Sequence, residues 1–159
     1  CHKLRQNAMD REETFSNYRY YNLGVPANTD LRASNGVTKL DDGLHANPGV
    51  AGAMDTMGRY RTPTLRNVAV TGPYMHNGVF EDLRTVILFY NTYNTRSEAR
   101  KINPETGAPF GPPEVAENIA MTELTEGPAL DDQRIDALVA FLKTLTDQRY
   151  EDLLTESGQ

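Results

Sequence analysis

The sequence contains one cysteine, Cys1, in 159 residues. That count excludes a disulfide framework within the chain and a cysteine-rich zinc site. Positive charge is also scarce: 16 Lys and Arg face 22 Asp and Glu, for a net charge of −6. With no basic stripe to neutralise phosphates, no nucleic-acid partner is expected. The longest apolar run, Val86 to Tyr90, is far shorter than the roughly 20 residues that span a bilayer. No membrane span is expected. No basic segment leading into an apolar one opens the chain, so it shows no targeting signal. Internal repeats and low-complexity blocks are missing as well.

What remains is 38% hydrophobic, with 9 Pro and 12 Gly. This composition predicts one loop-rich domain over residues 1–159, long enough to bury a core. Residues 3–14 are polar with a few apolar positions and can form a short opening helix. Gly24 and Pro26 mark a loop after the aromatic stretch Phe15 to Tyr21. Residues 29–57 are small and polar without periodicity, which predicts an extended surface excursion. Asn67 to Thr71 reads as a short buried segment, ended by a turn at Gly72-Pro73.

Two helices are written clearly. Over Glu81–Asn91 the residues Leu83, Val86, Ile87 and Tyr90 fall at i, i+3, i+4 and i+7 and make one apolar face. Glu81 and Asp82 sit in the first turn, where the helix dipole favours anions. The closing helix starts near Asp131, a good N-cap. Its expected stripe is Leu130, Ile135, Leu138, Val139, Leu142 and Leu145, with Phe141 beside it, packed on the opening helix. Residues 92–129 read as an irregular wrap with a single helical turn, and the tail after Asp147 as a frayed end.

Some residue types carry chemistry. Cys1-His2 matches the end of the Cys-x-x-Cys-His haem-attachment motif, in which thiols bond the haem vinyls and the histidine ligates iron. By itself the pair reads more simply as an exposed histidine at an arbitrary chain start. Arg59, Arg61 and Arg66 place three guanidinium groups in eight residues. They read as a solvated face or as a clamp for anions such as haem propionates. A buried phenol needs a partner for its oxygen. For Tyr90 a backbone hydrogen bond is the simple answer, and metal ligation the functional one. His76, in the loop Tyr74-Met75-His76-Asn77-Gly78, is by itself a structural histidine.

The stretch from Arg61 to Gly78, RTPTLRNVAVTGPYMHNG, resembles the signature of the bacterial di-haem cytochrome c peroxidases and their MauG relatives. Tyr21 to Pro26, Phe89-Tyr90-Asn91 and Asp136 to Leu145 resemble further landmarks of that family, in the same order. The resemblance covers most of the chain and corresponds to the C-terminal of two haem domains. It implies a mainly α, cytochrome c-like helical domain with long irregular loops, and an N-terminal haem domain of the same protein outside this chain. It further implies covalent haem c, with Cys1 as a thioether cysteine and His2 as the proximal iron ligand. The second axial position, fourteen residues after His76, is a methionine in the peroxidases and a tyrosine in MauG, and here it is Tyr90.

The remaining implications concern the surroundings and the partners. Arg61 and Arg66 take the haem-propionate role, and His76 a structural role near the propionates. Main-chain oxygens of Thr71 and Pro73 supply part of a calcium site completed by the other domain. No catalytic residue is assigned within this chain. The family implies a periplasmic enzyme that reacts with hydrogen peroxide at its other haem. This domain then shares oxidising equivalents or relays electrons, with a small electron-donor cytochrome or a protein substrate as reductant. The alternative is an electron-transfer module without peroxide chemistry, since a haem with both axial positions filled leaves no open site.

Overall fold

The structure, a computed structural model, describes residues 1–4, 13–50 and 52–156. The expected opening helix falls mostly on residues 5–12, outside the described residues. Helices are the principal regular elements. In chain order they are α1 (Thr29–Asn35), α2 (Leu83–Asn91), α3 (Met121–Thr125), α4 (Asp132–Lys143) and α5 (Leu153–Glu156). Two small antiparallel ladders join them. β1 (Tyr20–Tyr21) pairs with β2 (Tyr60–Arg61), and β3 (Ile102–Asn103) with β4 (Ala108–Pro109). Much of the rest is loop punctuated by single 3-10 turns, so the mainly α expectation holds only in part.

Helix α2 begins two residues later than its periodicity suggests because Asp82 is its N-cap, accepting the Arg84 N–H at 2.6 Å. It is apolar on more than one side. Thr85, Leu88 and Phe89 are buried, and Phe89 meets Phe80 and Phe110 at centroid distances of 5.4 and 5.7 Å. The face picked out by spacing, Leu83, Val86, Ile87 and Tyr90, instead lines a cavity. One helix thus separates core from cavity.

Helix α4 is capped by Asp131, whose carboxylate accepts the Arg134 N–H at 2.9 Å. Ile135 is 0% exposed and packs with Ile87 and Leu88 of α2, flanked by Leu130, Val139 and Leu142. The expected stripe needs one correction: Leu138 and Phe141 are exposed. Phe141 meets the edge of Phe15, at 5.9 Å and 77°. Ile135, Val139 and Leu142 follow the i, i+4, i+7 row, and that narrow seam fills the space α2 offers. Ile135→Ala should therefore destabilise the fold by about 2–5 kcal/mol, measured by urea unfolding, because the closed site cannot collapse around the missing atoms.

Three further expectations need correction. The excursion over 29–57 contains α1 and three 3-10 turns. Asn28 caps α1 through the Leu31 N–H at 3.0 Å, and Gly36 ends it at φ +63°. Helix α1 buries none of its residues, so it leaves no hydrophobic period to read. The segment 67–71 is one 3-10 turn in which only Ala69 is buried. The tail continues past Asp147 through a 3-10 turn at Gln148–Tyr150 into α5.

Candidate haem-binding site

A cavity of ≈ 530 Å³ opens against α2, a size within the usual range of small-molecule and cofactor sites. Residues from distant parts of the chain enclose it. Leu83, Val86, Ile87 and Tyr90 of α2 form one side, joined by Leu142 of α4. The β1–β2 ribbon supplies Tyr21, Tyr60 and Arg61, and continues through Thr62, Leu65, Val68, Thr71 and Pro73 to His76. Cys1 and His2 close another edge, and Asp41, Glu114 and Val115 the last.

Buried polar residues hold these segments together. Ser16 Oγ donates to Thr62 O at 2.8 Å, and Thr62 Oγ1 to Arg19 O at 3.0 Å, extending the ribbon beyond its two ladder pairs. Asn22, 4% exposed, donates to Val115 O at 2.9 Å and Glu117 O at 2.7 Å, and accepts the Gly24 N–H at 2.9 Å. Those bonds draw residues 114 and 115 to the cavity. Gly58 permits the approach: at φ +66°, a Cβ there would stand 2.7 Å from the Val115 Cβ.

His2 is oriented. Its Nδ1–H donates to Phe15 O at 2.8 Å, which leaves the Nε2 lone pair for a metal. Desolvation by the surrounding protein holds its pKa below the ordinary value, favouring the neutral, ligating imidazole, although the residue keeps exposed surface. Cys1 beside it carries a free thiol and is anchored through its carbonyl, which accepts the Asn17 N–H at 3.0 Å.

Two phenols on the cavity wall, Tyr74 and Tyr90, lack a hydrogen-bond partner among the described residues, unlike the other phenols of the region. Tyr93 donates to Leu23 O at 2.9 Å, Tyr60 to Asp41 O at 3.1 Å, and Tyr21 accepts from Asn17 Nδ2 at 2.9 Å. The Tyr90 hydroxyl has no hydrogen-bond partner among the described residues and faces the cavity. Burial, aided by Tyr93, pushes its pKa up to about 12. The phenolate therefore forms at neutral pH only if a cation sits at its oxygen. A ferric ion is such a cation, so imidazole, phenol and thiol around an apolar volume fit a covalently held haem. Among the described residues, no group of three His, Cys, Asp or Glu side chains could hold a metal without such a cofactor.

The other sequence-derived candidates separate. Arg61 lines the cavity and lies over the Tyr18 ring, 5.2 Å from its centroid. Arg66 is not brought to the cavity: its Nε–H donates to Glu13 O at 2.8 Å. Arg59 faces Asp55 at 4.0 Å. Thr71 and Pro73 both lie on the cavity wall, across the cis Gly72–Pro73 peptide.

His76 stacks on Tyr60 with ring centroids 3.5 Å apart and planes 10° from parallel. Burial lowers its pKa, Asp41 and Glu114 oppose that shift, and Arg32 adds to it. A lowered folded-state pKa means that His76 contributes stability above its ordinary value of 6.5, lost as pH falls through the folded pKa. Between pH 7 and 5, His76→Gln should therefore lose stability less steeply than the parent in parallel denaturant titrations.

Sequence reasoning missed Tyr21, Tyr60, Asp41 and Glu114. Glu114 has a side chain 6% exposed; its Oε1 accepts from Arg32 Nη2 and from the Asp41 N–H at 2.9 Å. Its Oε2 is buried without a hydrogen-bond partner. These contacts join residues 82 and 73 positions apart, and no local spacing signals them.

Comparison with known proteins places this architecture. No protein-family profile matches the chain. It is 57% identical over 159 residues to "Methylamine utilization protein MauG" of Paracoccus denitrificans, covering 99% of this chain and 41% of that protein. It is 37% identical over 94 residues to the "Cytochrome-c peroxidase IdrP1" of Denitromonas iodatirespirans, covering 48% of this chain and 25% of the relative. Among solved structures it resembles a tyrosine-to-methionine variant of the diheme peroxidase BthA from Burkholderia thailandensis. That match has a TM-score of 0.70 and 32% identity, over 94% of this chain and 38% of BthA. A MauG-like protein associated with microbial copper homeostasis matches with a TM-score of 0.51 and 29% identity, over 86% of this chain and 36% of that one.

The fold is thus similar to that of solved di-haem peroxidases. The chain belongs to the MauG/di-haem peroxidase family, and spans about two fifths of its MauG relative.

Proposed function

We propose that this chain is the haem c-binding, C-terminal domain of a periplasmic di-haem peroxidase of the MauG type. The observation that carries the proposal is the convergence of an oriented imidazole, His2, and an unpartnered phenol, Tyr90, on one apolar cavity. A haem bound there supplies a one-electron redox centre. The chain's own residues supply the rest. Cys1 would hold the haem through a thioether, and His2 Nε2 and the Tyr90 oxygen would ligate its iron. The aliphatic face of α2 excludes water, and Arg61 offers a guanidinium to the propionates, with His76 beside them and Arg66 further out. An anionic oxygen ligand favours oxidised iron over reduced iron more than a neutral thioether does. Main-chain oxygens of Thr71 and Pro73 hold a calcium ion shared with the preceding domain; neither accepts a backbone hydrogen bond among the described residues.

In this proposal residues 1–159 form one cytochrome c-like domain, and an N-terminal haem domain of the same protein reacts with hydrogen peroxide. This domain shares the oxidising equivalents or relays electrons from a small cytochrome or a protein substrate. The family relationship to MauG and to peroxidases supports that assignment. The test is intact mass and peroxide consumption of the full-length protein. The expected result is a mass increment of two haems and turnover of peroxide. One haem and no peroxide turnover would instead make it an electron-transfer module.

A further inference from the structure

Helix α2 is held at both ends by side chains. At its start the Glu105 carboxylate accepts the Glu81 and Asp82 N–H groups at 3.1 and 2.9 Å. At its end stands Asn91, 2% exposed. Its Nδ2 donates to Leu130 O at 3.0 Å, and its Oδ1 accepts the Leu130 N–H at 2.8 Å. One amide side chain thus pairs with both backbone groups of a residue 39 positions away.

We propose that Asn91 is the positioning residue for the phenol of Tyr90; this rests on the reading of Tyr90 as an iron ligand. The last carbonyls of a helix lack the partners that hold its interior. The Tyr90 carbonyl is such a group: the Tyr93 N–H reaches it at 3.4 Å, while the neighbouring Phe89 and Asn91 carbonyls accept bonds of 2.7 to 3.1 Å from Thr92, Asn94 and Thr95. The Asn91 amide adds a side-chain restraint to that turn. Two hydrogen bonds on one planar group fix rotation as well as distance, which a single bond does not.

Leu130 immediately precedes the Asp131 cap of α4, and α4 carries Leu142 into the cavity. The clamp therefore sets where Tyr90 stands relative to the cavity's other wall. Ligand geometry must be kept to about 0.5 Å and 10–20°. The chemistry of the clamp is specific to asparagine. Aspartate keeps the size but turns the donor into an acceptor facing a carbonyl, and alanine strands both Leu130 groups.

The test uses the full-length, haem-loaded protein and reads its ferric optical and electron paramagnetic resonance spectra. Asn91→Ala should shift the signals of the tyrosinate-ligated iron. Glu105→Gln, at the far end of the same helix, should leave them in place although it loosens the helix start. Tyr90→Phe should abolish them. If Asn91→Ala fails to fold, Asn91→Asp serves, with the same shift expected. The proposal is overturned if the Asn91 variants keep the parent spectra while Tyr90→Phe changes them, or if Glu105→Gln shifts them equally. Spectra untouched by Tyr90→Phe would remove the ligand assignment itself, and the positioning role with it.

Discussion

Tyr90→Phe in the full-length protein is expected to change the ferric spectrum of its haem from a low-spin to a high-spin pattern and to raise that haem's midpoint potential. The hydroxyl removed has no protein partner among the described residues. Its loss therefore strands no donor or acceptor, and the substitution costs little in folding free energy. Removing a desolvated hydroxyl that lacks a hydrogen bond is neutral to favourable for an apolar site. The substitution separates the two roles a cavity tyrosine can have. A residue that only packs would leave the spectrum unchanged and, lacking a hydrogen bond to lose, the melting temperature nearly so. A ligand changes the spectrum, so the spectrum decides. Tyr90→Met offers the sulfur found in the peroxidases and should restore a low-spin pattern at a higher potential. An unaltered ferric spectrum in both variants would end the ligand assignment.

Arg32→Ala is the second large effect, and it falls on stability. Arg32 Nη2 meets the Glu114 carboxylate, whose side chain is 6% exposed, and Arg32 Nη1 donates to Lys39 O at 2.8 Å. Removing the cation leaves a buried carboxylate with one remaining donor, the Asp41 N–H at 2.9 Å. Breaking a buried pair from one side costs about 3–5 kcal/mol, because desolvation of the surviving charge is no longer offset. Arg32 itself is 23% exposed, so the lower end applies, about 3 kcal/mol. For a domain of this length that corresponds to a melting temperature roughly 6–12 °C lower. Glu114→Gln should be milder, since the neutral amide needs no counter-charge. The double variant should cost clearly less than the sum of the two, as expected for residues in one network. Calorimetry of the four proteins decides the matter. Additive losses would mean that the pair is a surface contact of little consequence.

The sequence was legible where a periodic pattern meets a packed surface. The spacing of Leu83, Val86, Ile87 and Tyr90 located α2 and one of its faces, and Asp131 located the start of α4. Spacing could not tell a face that meets core from one that meets a cavity, because both reward apolar side chains equally. Helix α1 was invisible because end caps at Asn28 and Gly36 define it, with no buried stripe. Leu138 is exposed because this twelve-residue helix buries only a narrow seam, against α2 and the 3-10 turn at Val68–Val70. Cys1, His2, Arg61, His76 and Tyr90 line one cavity, and Arg66 does not. Glu114 and Asn91 depend on partners 82 and 39 positions away. Their importance exists only in three dimensions.

The β1–β2 ribbon brings residues 20–21 against 60–61, so the excursion between them leaves and returns at the same place. Near Gly36 and Gly52 it offers sites where an added Cβ would meet nothing within 4 Å. A closed loop pays for extra length only logarithmically, about 0.6 kcal/mol per doubling. A tag, a fluorophore-bearing peptide or a tether to a partner could therefore be grafted at either site without disturbing the cavity wall. The tips of the excursion near Gly36 and Gly52 are thus a handle, while Asn22, Arg32, Asp41 and Gly58 on the same excursion stay tied to the cavity.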